Sequence, residues 1–374
     1  MGKRELLLIL GFVAAGTLVY HLTAPASDPN QRSGWSALVD NVRREVRGHS
    51  ASVEIVKTDT HPIGPGTGEV RLAPGTPEVT VEGEDREDIA SELKVWSNGY
   101  DDREARSLAE QTVLKFSEAG GSAVFSVTYP EPGRQRATLT LRVPSRLRVH
   151  LARATRNQRI AGVAAVEAPD LRGNSSIERI AGRVAVSHRG GDVSIVDVGS
   201  LKMTTQGSEA RVERVRGEVA LQLRSGELRG SALVGPVEVD STTADLTLDQ
   251  LEGTRGPIRI NAVSGRVRLR GLASEARVDG RNADLEIALV RAAPVTIYSE
   301  GEDVEVIPPV GGYTLDASVT DGQLNVADGS IEVEAVEGEQ RAAGAIRGGG
   351  ATLTLRVTRG DLRIRALETA AIAR

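Results

Sequence analysis

The feature that most constrains this chain is a repeat. From about residue 182 onward one pattern recurs: apolar-x-apolar, four or five turn residues usually ending in Gly or Ala, an acidic residue, then apolar-x-apolar again. The clearest copies are GRVAVSHRGGDVSI from Gly182, GEVALQLRSGELRG from Gly217, GPVEVDSTTADLTL from Gly235, GPIRINAVSGRVRL from Gly256, APVTIYSEGEDVEV from Ala293 and ATLTLRVTRGDLRI from Ala351. The first apolar residues of successive units are Val184, Leu201, Val219, Val237, Ile258, Ala276, Val295, Leu315, Ile331 and Leu353. They stand 17, 18, 18, 21, 18, 19, 20, 16 and 22 residues apart, a period of about 18–20.

A unit this short holds two strand-like pieces, cannot bury an apolar face alone and must stack on its neighbours. The expected architecture is therefore all-β, with residues 151–374 forming a β-solenoid of about ten coils of 18–20 residues. Period-two alternation points Val184, Val186, Val193 and Ile195 inward and Arg183, Ala185 and Ser194 outward. Glycines at the corners supply the positive φ of a sharp turn. A sandwich of short, regularly spaced strands is the alternative all-β reading. It gives no reason for successive units to resemble one another, whereas stacking does.

Residues 51–150 also alternate as strands, around Val53 and Ile55, Val70 and Leu72, Val79 and Val81, Val124 to Val127, and Leu139 to Val143. One helix interrupts them, in DDREARSLAEQTVLKFSEAGG: an Asp caps its start, Ala105, Leu108, Ala109 and Phe116 make an apolar stripe, and Gly120 ends it. This strand-and-helix part is expected to shield the first coil from edge-to-edge pairing, and the charged RGDLRIR stretch the last.

Before that domain lie two further segments. Lys3 and Arg4 precede an apolar stretch from Leu6 to Leu22, 17 residues whose only ionisable side chains are Tyr20 and His21. The basic flank places the N-terminus inside and the body outside, so residues 1–26 read as a signal-anchor crossing the membrane through 6–22. The competing reading is a signal peptide cleaved after Ala26, at the small-x-small site Ala24-Pro25-Ala26. Either leaves the body periplasmic, at the cell surface or secreted. Residues 27–50 continue as a linker with a short juxtamembrane helix, in which Trp35, Leu38, Val39, Val42 and Val46 form a stripe that packs on the following domain or lies on lipid headgroups.

Composition excludes several functions. With 46 Lys+Arg against 51 Asp+Glu over 374 residues there is no basic footprint for nucleic acid. No cysteine is present, which removes disulfides, thiolate metal sites and a thiol nucleophile. The five histidines, His21, His49, His61, His150 and His188, show no metal-ligand spacing. His188 with Asp192 reads as a solvent-exposed turn pair. There is no nucleophile elbow, P-loop or dinucleotide fingerprint, so neither catalytic residues nor a cofactor is assigned.

The corner carboxylates are the most distinctive polar residues. Asp192, Glu209, Glu227, Asp245, Asp284 and Asp303 recur at one position of the unit, continued by Glu339 and Asp361 and interrupted by Arg266 and Gln323. Stacked at strand spacing, roughly 4.7–4.9 Å, they would form an acidic row able to hold a cation such as Ca²⁺. The plainer reading is that each accepts a turn N–H and faces water. The same carboxylates carry the alternative of a polysaccharide-active enzyme, a glycoside hydrolase or lyase. Against it, only Tyr298 and Tyr313 follow Tyr129 among the aromatics, and sugar grooves need flat aromatic faces.

The stretch from about Ser52 to Ile364, with TLRVPSRLRVHL leading into the repeats and IPPVGGYTLDAS and GGGATLTLRVTRGDLRIR closing them, resembles the bacterial putative-adhesin family of β-strand-repeat proteins. The resemblance lies in repeat pattern and segment order and carries no catalytic residue. It implies an exported or membrane-attached β-solenoid-like domain. The expectation is a non-enzymatic, membrane-anchored extracytoplasmic protein, an adhesin or envelope scaffold presenting a surface to a protein or glycan partner.

Overall fold

A chain of short alternating strands must satisfy every buried backbone N–H and C=O through neighbouring strands. How this chain does so is seen in a computed structural model that describes residues 51–75, 77–327 and 331–365. The apolar segment 6–22, the small-x-small site and the Trp35–Val46 stripe lie outside the described residues. Among the described residues no helix is long and apolar enough to cross a membrane.

The fold is all-β with one α-helix. The first part holds β1 (Ala51–His61), β2 (Glu69–Leu72), β3 (Glu78–Glu84), β4 (Ile89–Gly99), α1 (Asp102–Gln111), β5 (Val113–Ala119), β6 (Ser122–Thr128) and β7 (Gln135–Pro144). Then come β8 (Arg148–Leu151), β9 (Gln158–Ala161), β10 (Ala165–Leu171), β11 (Ser175–Val215), β12 (Val219–Leu233), β13 (Val237–Asp249) and β14 (Ile258–Leu272). Shorter strands follow: β15 (Ala276–Arg281), β16 (Ala283–Leu289), β17 (Val295–Glu300), β18 (Val304–Ile307), β19 (Tyr313–Thr320) and β20 (Leu324–Val326). The last are β21 (Glu334–Val336), β22 (Glu339–Ile346), β23 (Thr352–Thr358) and β24 (Leu362–Ile364).

These strands make two ladders. In the first, β6, β2, β8, β10 and β11 pair in parallel. It continues through the first halves of β12, β13 and β14 into β15 and β17. In the second, β7, β3, β9 and β11 pair in parallel, and the second halves of β12 to β14 lead to β16 and β18. Each unit pairs with the next in register, Val219 with Val237, Val237 with Ile258, Ile258 with Ala276. Identical positions therefore stack, and the alternation becomes a continuous core. Val184, Val186, Val193 and Ile195 are buried while Arg183 is exposed and Ala185 and Ser194 are half-buried, as the period requires.

The order of units departs from the order of the chain. Leu353 of β23 pairs with Val295 of β17 on one side and with Leu315 of β19 on the other. Likewise Leu362 of β24 lies between Val304 of β18 and Leu324 of β20. The final unit is thus inserted between two earlier ones, and RGDLRIR does not cover the last unit as expected. The physical reason is the burial available there: Leu353, Leu355, Val357, Leu362 and Ile364 are all at most 2% exposed, which a terminal unit with one neighbour cannot achieve. Ile331 does not begin a repeat unit either. Glu334–Val336 and Glu339–Ile346 form a hairpin around Gly338, and β22 pairs antiparallel with β19.

At the other end, antiparallel pairing again ends each ladder, β4 on β7 and β1 on β4, β5 on β6. Helix α1 starts as expected, with the Asp101 side chain accepting the Glu104 N–H at 2.8 Å. It stops at Gln111, earlier than the sequence suggested, and Phe116 belongs to a strand. The stretch VLKFSEA alternates, and Gly120 and Gly121, both with positive φ, turn it into a hairpin with β6.

The corners follow two rules. At one, glycines take positive φ, as at Gly191, Gly226, Gly265 and Gly301; at the other, the left-handed residues are Arg179, Asp197, Arg214, Ala232 and Gln250. Glycine is needed instead where corners touch. The Gly217 N–H donates to the Gly199 carbonyl at 2.6 Å, and a β-carbon at Gly217 would lie 2.8 Å from that oxygen. At Gly235 a β-carbon would overlap the Gly217 carbonyl outright.

Two outcomes follow. Gly235→Val destabilises by about 1–3 kcal/mol or more through forced separation of the units, whereas Gly253→Ala, with nothing within 4 Å of the new carbon, is near neutral in urea unfolding. Truncation after Gly350 removes β23 and β24 and opens both ladders, baring an edge on each of β17, β19, β18 and β20, so it yields an aggregating or partly unfolded protein by size-exclusion chromatography.

Candidate functional site

Part of the corner row is in register. Glu209, Glu227 and Asp245 are register partners, as are Arg266 and Asp284. Asp192, Glu209, Asp245, Asp284 and Asp303 are exposed and Glu227 is half-buried. Several are engaged by backbone. One Asp245 carboxylate oxygen accepts the Arg266 N–H at 2.9 Å, and Asp303 accepts the Asp361 N–H at 2.9 Å. Asp361 in turn accepts the Gln323 N–H at 3.0 Å. Cations compensate others: Glu227 meets the Arg229 guanidinium at 2.8 Å and Asp284 lies 3.9 Å from Arg266. No group of three or more acidic or histidine side chains able to hold a metal ion occurs among the described residues.

Two asparagines extend this pattern and escaped the sequence reading, which looked only for charge. The Asn157 side-chain oxygen accepts the Asn174 N–H at 3.3 Å, and the Asn174 oxygen accepts the Asp192 N–H at 3.2 Å. A side-chain oxygen reaching the N–H of the next corner is thus the common element. Asn and Asp serve equally because only the oxygen is used.

His188 is not the exposed turn residue expected. It is fully buried, with Nε2 2.8 Å from the Gly173 carbonyl and Nδ1 2.8 Å from the Ser208 hydroxyl. The carbonyl can only accept, so Nε2 carries the proton and Nδ1 accepts from Ser208. Burial pushes the His188 pKa below its ordinary value, against the Gly173 hydrogen bond and the Asp192 charge. Ser208 is itself 3% exposed, so the pair joins neighbouring units and offers no nucleophile to a substrate.

What remains accessible is the pair of outward faces. On the first ladder one column reads Thr204, Gln222, Asp240, Asn261, Asp279, Tyr298, Arg356 and Ser318, each the register partner of the next. Tyr298 is 41% exposed, with the Arg277 guanidinium 4.9 Å from its ring centroid. Arg277 is held in place by Asp279 at 2.8 Å, and Arg356 by Asp316 at 2.6 Å. Asn261, Val263, Asp279, Arg356 and Thr358 surround the tyrosine in a shallow depression. On the second face Arg268 and Arg270 share the Glu286 carboxylate. Each such exposed pair contributes only about 0–1 kcal/mol, so they set surface charge more than stability.

The His188 geometry predicts an acid response. The native pKa lies below that of the unfolded chain, about 6.5; as pH falls through that value the unfolded state takes up the proton first and stability is lost until the lower native value is reached. Melting temperature should therefore fall from pH 7.5 to 5.5, and His188→Gln should lower it at pH 7.5 while shrinking the difference between the two pH values.

No family model matches the chain, and no curated protein matches it. Solved structures do. A putative adhesin from Parabacteroides distasonis is 10% identical, with 83% of this chain and 97% of that chain covered and a TM-score of 0.34. A putative adhesin from Parabacteroides merdae is 9% identical, with 83% and 96% covered and a TM-score of 0.30. A putative lipid binding protein from Parabacteroides distasonis is 11% identical, with 83% and 97% covered and a TM-score of 0.23. No residue role is carried over at these identities.

Proposed function

We propose that this protein is a non-enzymatic binding scaffold of the cell envelope, whose stacked units present a long polar face to a protein or glycan partner. The carrying observation is the in-register column from Thr204 to Ser318, which lines up hydrogen-bonding side chains around the exposed Tyr298. Repeats of this kind build extended surfaces because identical positions recur at strand spacing. In this reading residues 151–374 are a β-solenoid, and residues 51–150 are the strand-rich part that ends it. Residues 1–26 direct export, and retention of 6–22 anchors the body outside the cytoplasm.

Glycoside chemistry at the corners is the less favoured reading. It requires two carboxyl groups roughly 5–9.5 Å apart, one of them free to carry a proton. Asp245 already accepts a backbone N–H, and Asp284 sits beside Arg266.

A single assay separates the two. The chain from residue 27 is applied to immobilised envelope polysaccharides, mucin and collagen, and bound protein and released reducing ends are measured in the same wells. Binding without product, weakened about tenfold by Tyr298→Ser together with Val263→Ser, fits an anchor-residue surface. Product release that disappears in Asp245→Asn or Asp284→Asn would overturn the scaffold reading.

A further inference from the structure

At the edge where the first outward face turns into its corner, three successive units bring one arginine each to a single carboxylate. Arg153 lies 2.9 Å from Asp170, Arg172 lies 3.8 Å from it, and Arg189 donates to it as well. The backbone fixes this arrangement: the Ala154 N–H donates to the Asp170 carbonyl at 3.0 Å, and the Arg172 N–H to the Ala154 carbonyl at 2.9 Å. The Asp170 side chain is 18% exposed, whereas the three arginine side chains are about half exposed. The Arg189 hydrogen bond, with the Arg153 and Arg172 charges adding, outweighs burial and holds the Asp170 carboxyl below its ordinary pKa. It therefore stays ionised at neutral pH.

One carboxylate cannot use up three guanidiniums. Each guanidinium carries five N–H donors, and the carboxylate offers about four acceptor sites. The charge around them is unbalanced too. Over residues 152–157, 170–174 and 188–192, Arg153, Arg156, Arg172 and Arg189 stand against Asp170 and Asp192, a local positive surplus in a chain of net charge −5. It arises because the first two corners carry Asn157 and Asn174 at the place where later corners carry Asp192, Glu209, Glu227 and Asp245.

We propose that this arginine edge binds a linear acidic polysaccharide, one bearing a carboxylate on each sugar, laid along the stacking axis. The guanidinium fork matches a planar carboxylate, and Asp170 holds the forks in place without consuming them. Three units at strand spacing set the arginines along roughly 10 Å of that axis, farther than one small anion spans. A chain of successive carboxylates meets them in turn. An anionic membrane fits less well, because a plane of headgroups resting on this corner would also meet the exposed carboxylates Asp192 and Glu209. The inference rests on the binding-scaffold reading, names the class of its glycan partner and uses residues other than Tyr298 and Val263.

Full-length protein in neutral detergent micelles is titrated with polygalacturonate, with the same polymer fully methyl-esterified, with inorganic phosphate and with phosphatidylglycerol vesicles. Polygalacturonate should bind at least tenfold more tightly than its ester, and raising sodium chloride from about 0.05 M to about 0.5 M should weaken it at least tenfold. Arg172→Gln with Arg189→Gln should cost at least tenfold in affinity. Arg211→Gln with Arg229→Gln removes equal charge from arginines each matched by its own glutamate, and should change affinity less than twofold. Asp170→Asn should bind at least as tightly as the parent, since the edge gains positive charge, whereas a merely structural ion-pair cluster would lose as much here as in the arginine pair. Equal losses in the two double variants, or a tenfold loss in Asp170→Asn, would overturn the proposal. So would binding of phosphate alone or of the vesicles alone, which would make the edge a single-anion site or a membrane contact. Failure of polygalacturonate with Tyr298-dependent binding intact overturns only this inference; absence of binding to every polymer and protein overturns the scaffold reading with it.

Discussion

The structure rests on one constraint: the backbone of every unit must lie at hydrogen-bonding distance from the next, through the corners as well as along the strands. Strand-to-strand separation of roughly 4.8 Å leaves no room for a side chain between touching corners. Hence the Gly217 N–H bonds directly to the Gly199 carbonyl, and a β-carbon at Gly235 cannot be accommodated. In-register stacking follows, since any shift by one residue would turn Val219, Val237 and Ile258 to solvent. The buried column, the side-chain ladder at the corners and the polar column around Tyr298 are three expressions of the same register.

Stacked parallel strands have ends, and ends expose unpaired backbone. The chain deals with them by changing direction. Antiparallel β22 closes onto β19, and β4 closes onto β7. The last unit is instead placed inside, between β17 and β19 and between β18 and β20. Its neighbours on both sides precede it in the chain. They cannot complete their own hydrogen bonding until β23 and β24 arrive, which makes the C-terminal strands the piece that joins the final units to the rest.

The repeated strand pattern, the inward positions and the start of α1 were legible because they depend on local alternation and on a capping Asp. The position of the last unit was not, because GGGATLTLRVTRGDLRIR has the same pattern whichever neighbours it takes. Pattern specifies that a unit stacks and leaves open on what. His188 was misread for a related reason: its corner looks like a polar turn, yet the ring is folded under the corner onto Gly173 and Ser208, residues 15 and 20 positions away. At the corners, the search for carboxylates missed part of the ladder, since Asn157 and Asn174 supply the same oxygen without the charge. The arginines and glutamine at positive φ carry no mark in the sequence beyond their period.

Function follows from these economies of form. The corners and core are occupied in holding units together, and the side chains left to meet other molecules are those of the outward columns. Unit order is the claim on which this picture most depends, and distances between spin labels test it directly. With one label at Lys202, the register places Thr354 six units away and Asp316 seven, through Ala220, Glu238, Arg259, Arg277 and Thr296. At strand spacing these separations are about 29 Å and about 34 Å. A shorter distance to Thr354 than to Asp316 is the predicted result; the reverse order would mean that the units stack in chain order and that the inserted C-terminal unit does not exist.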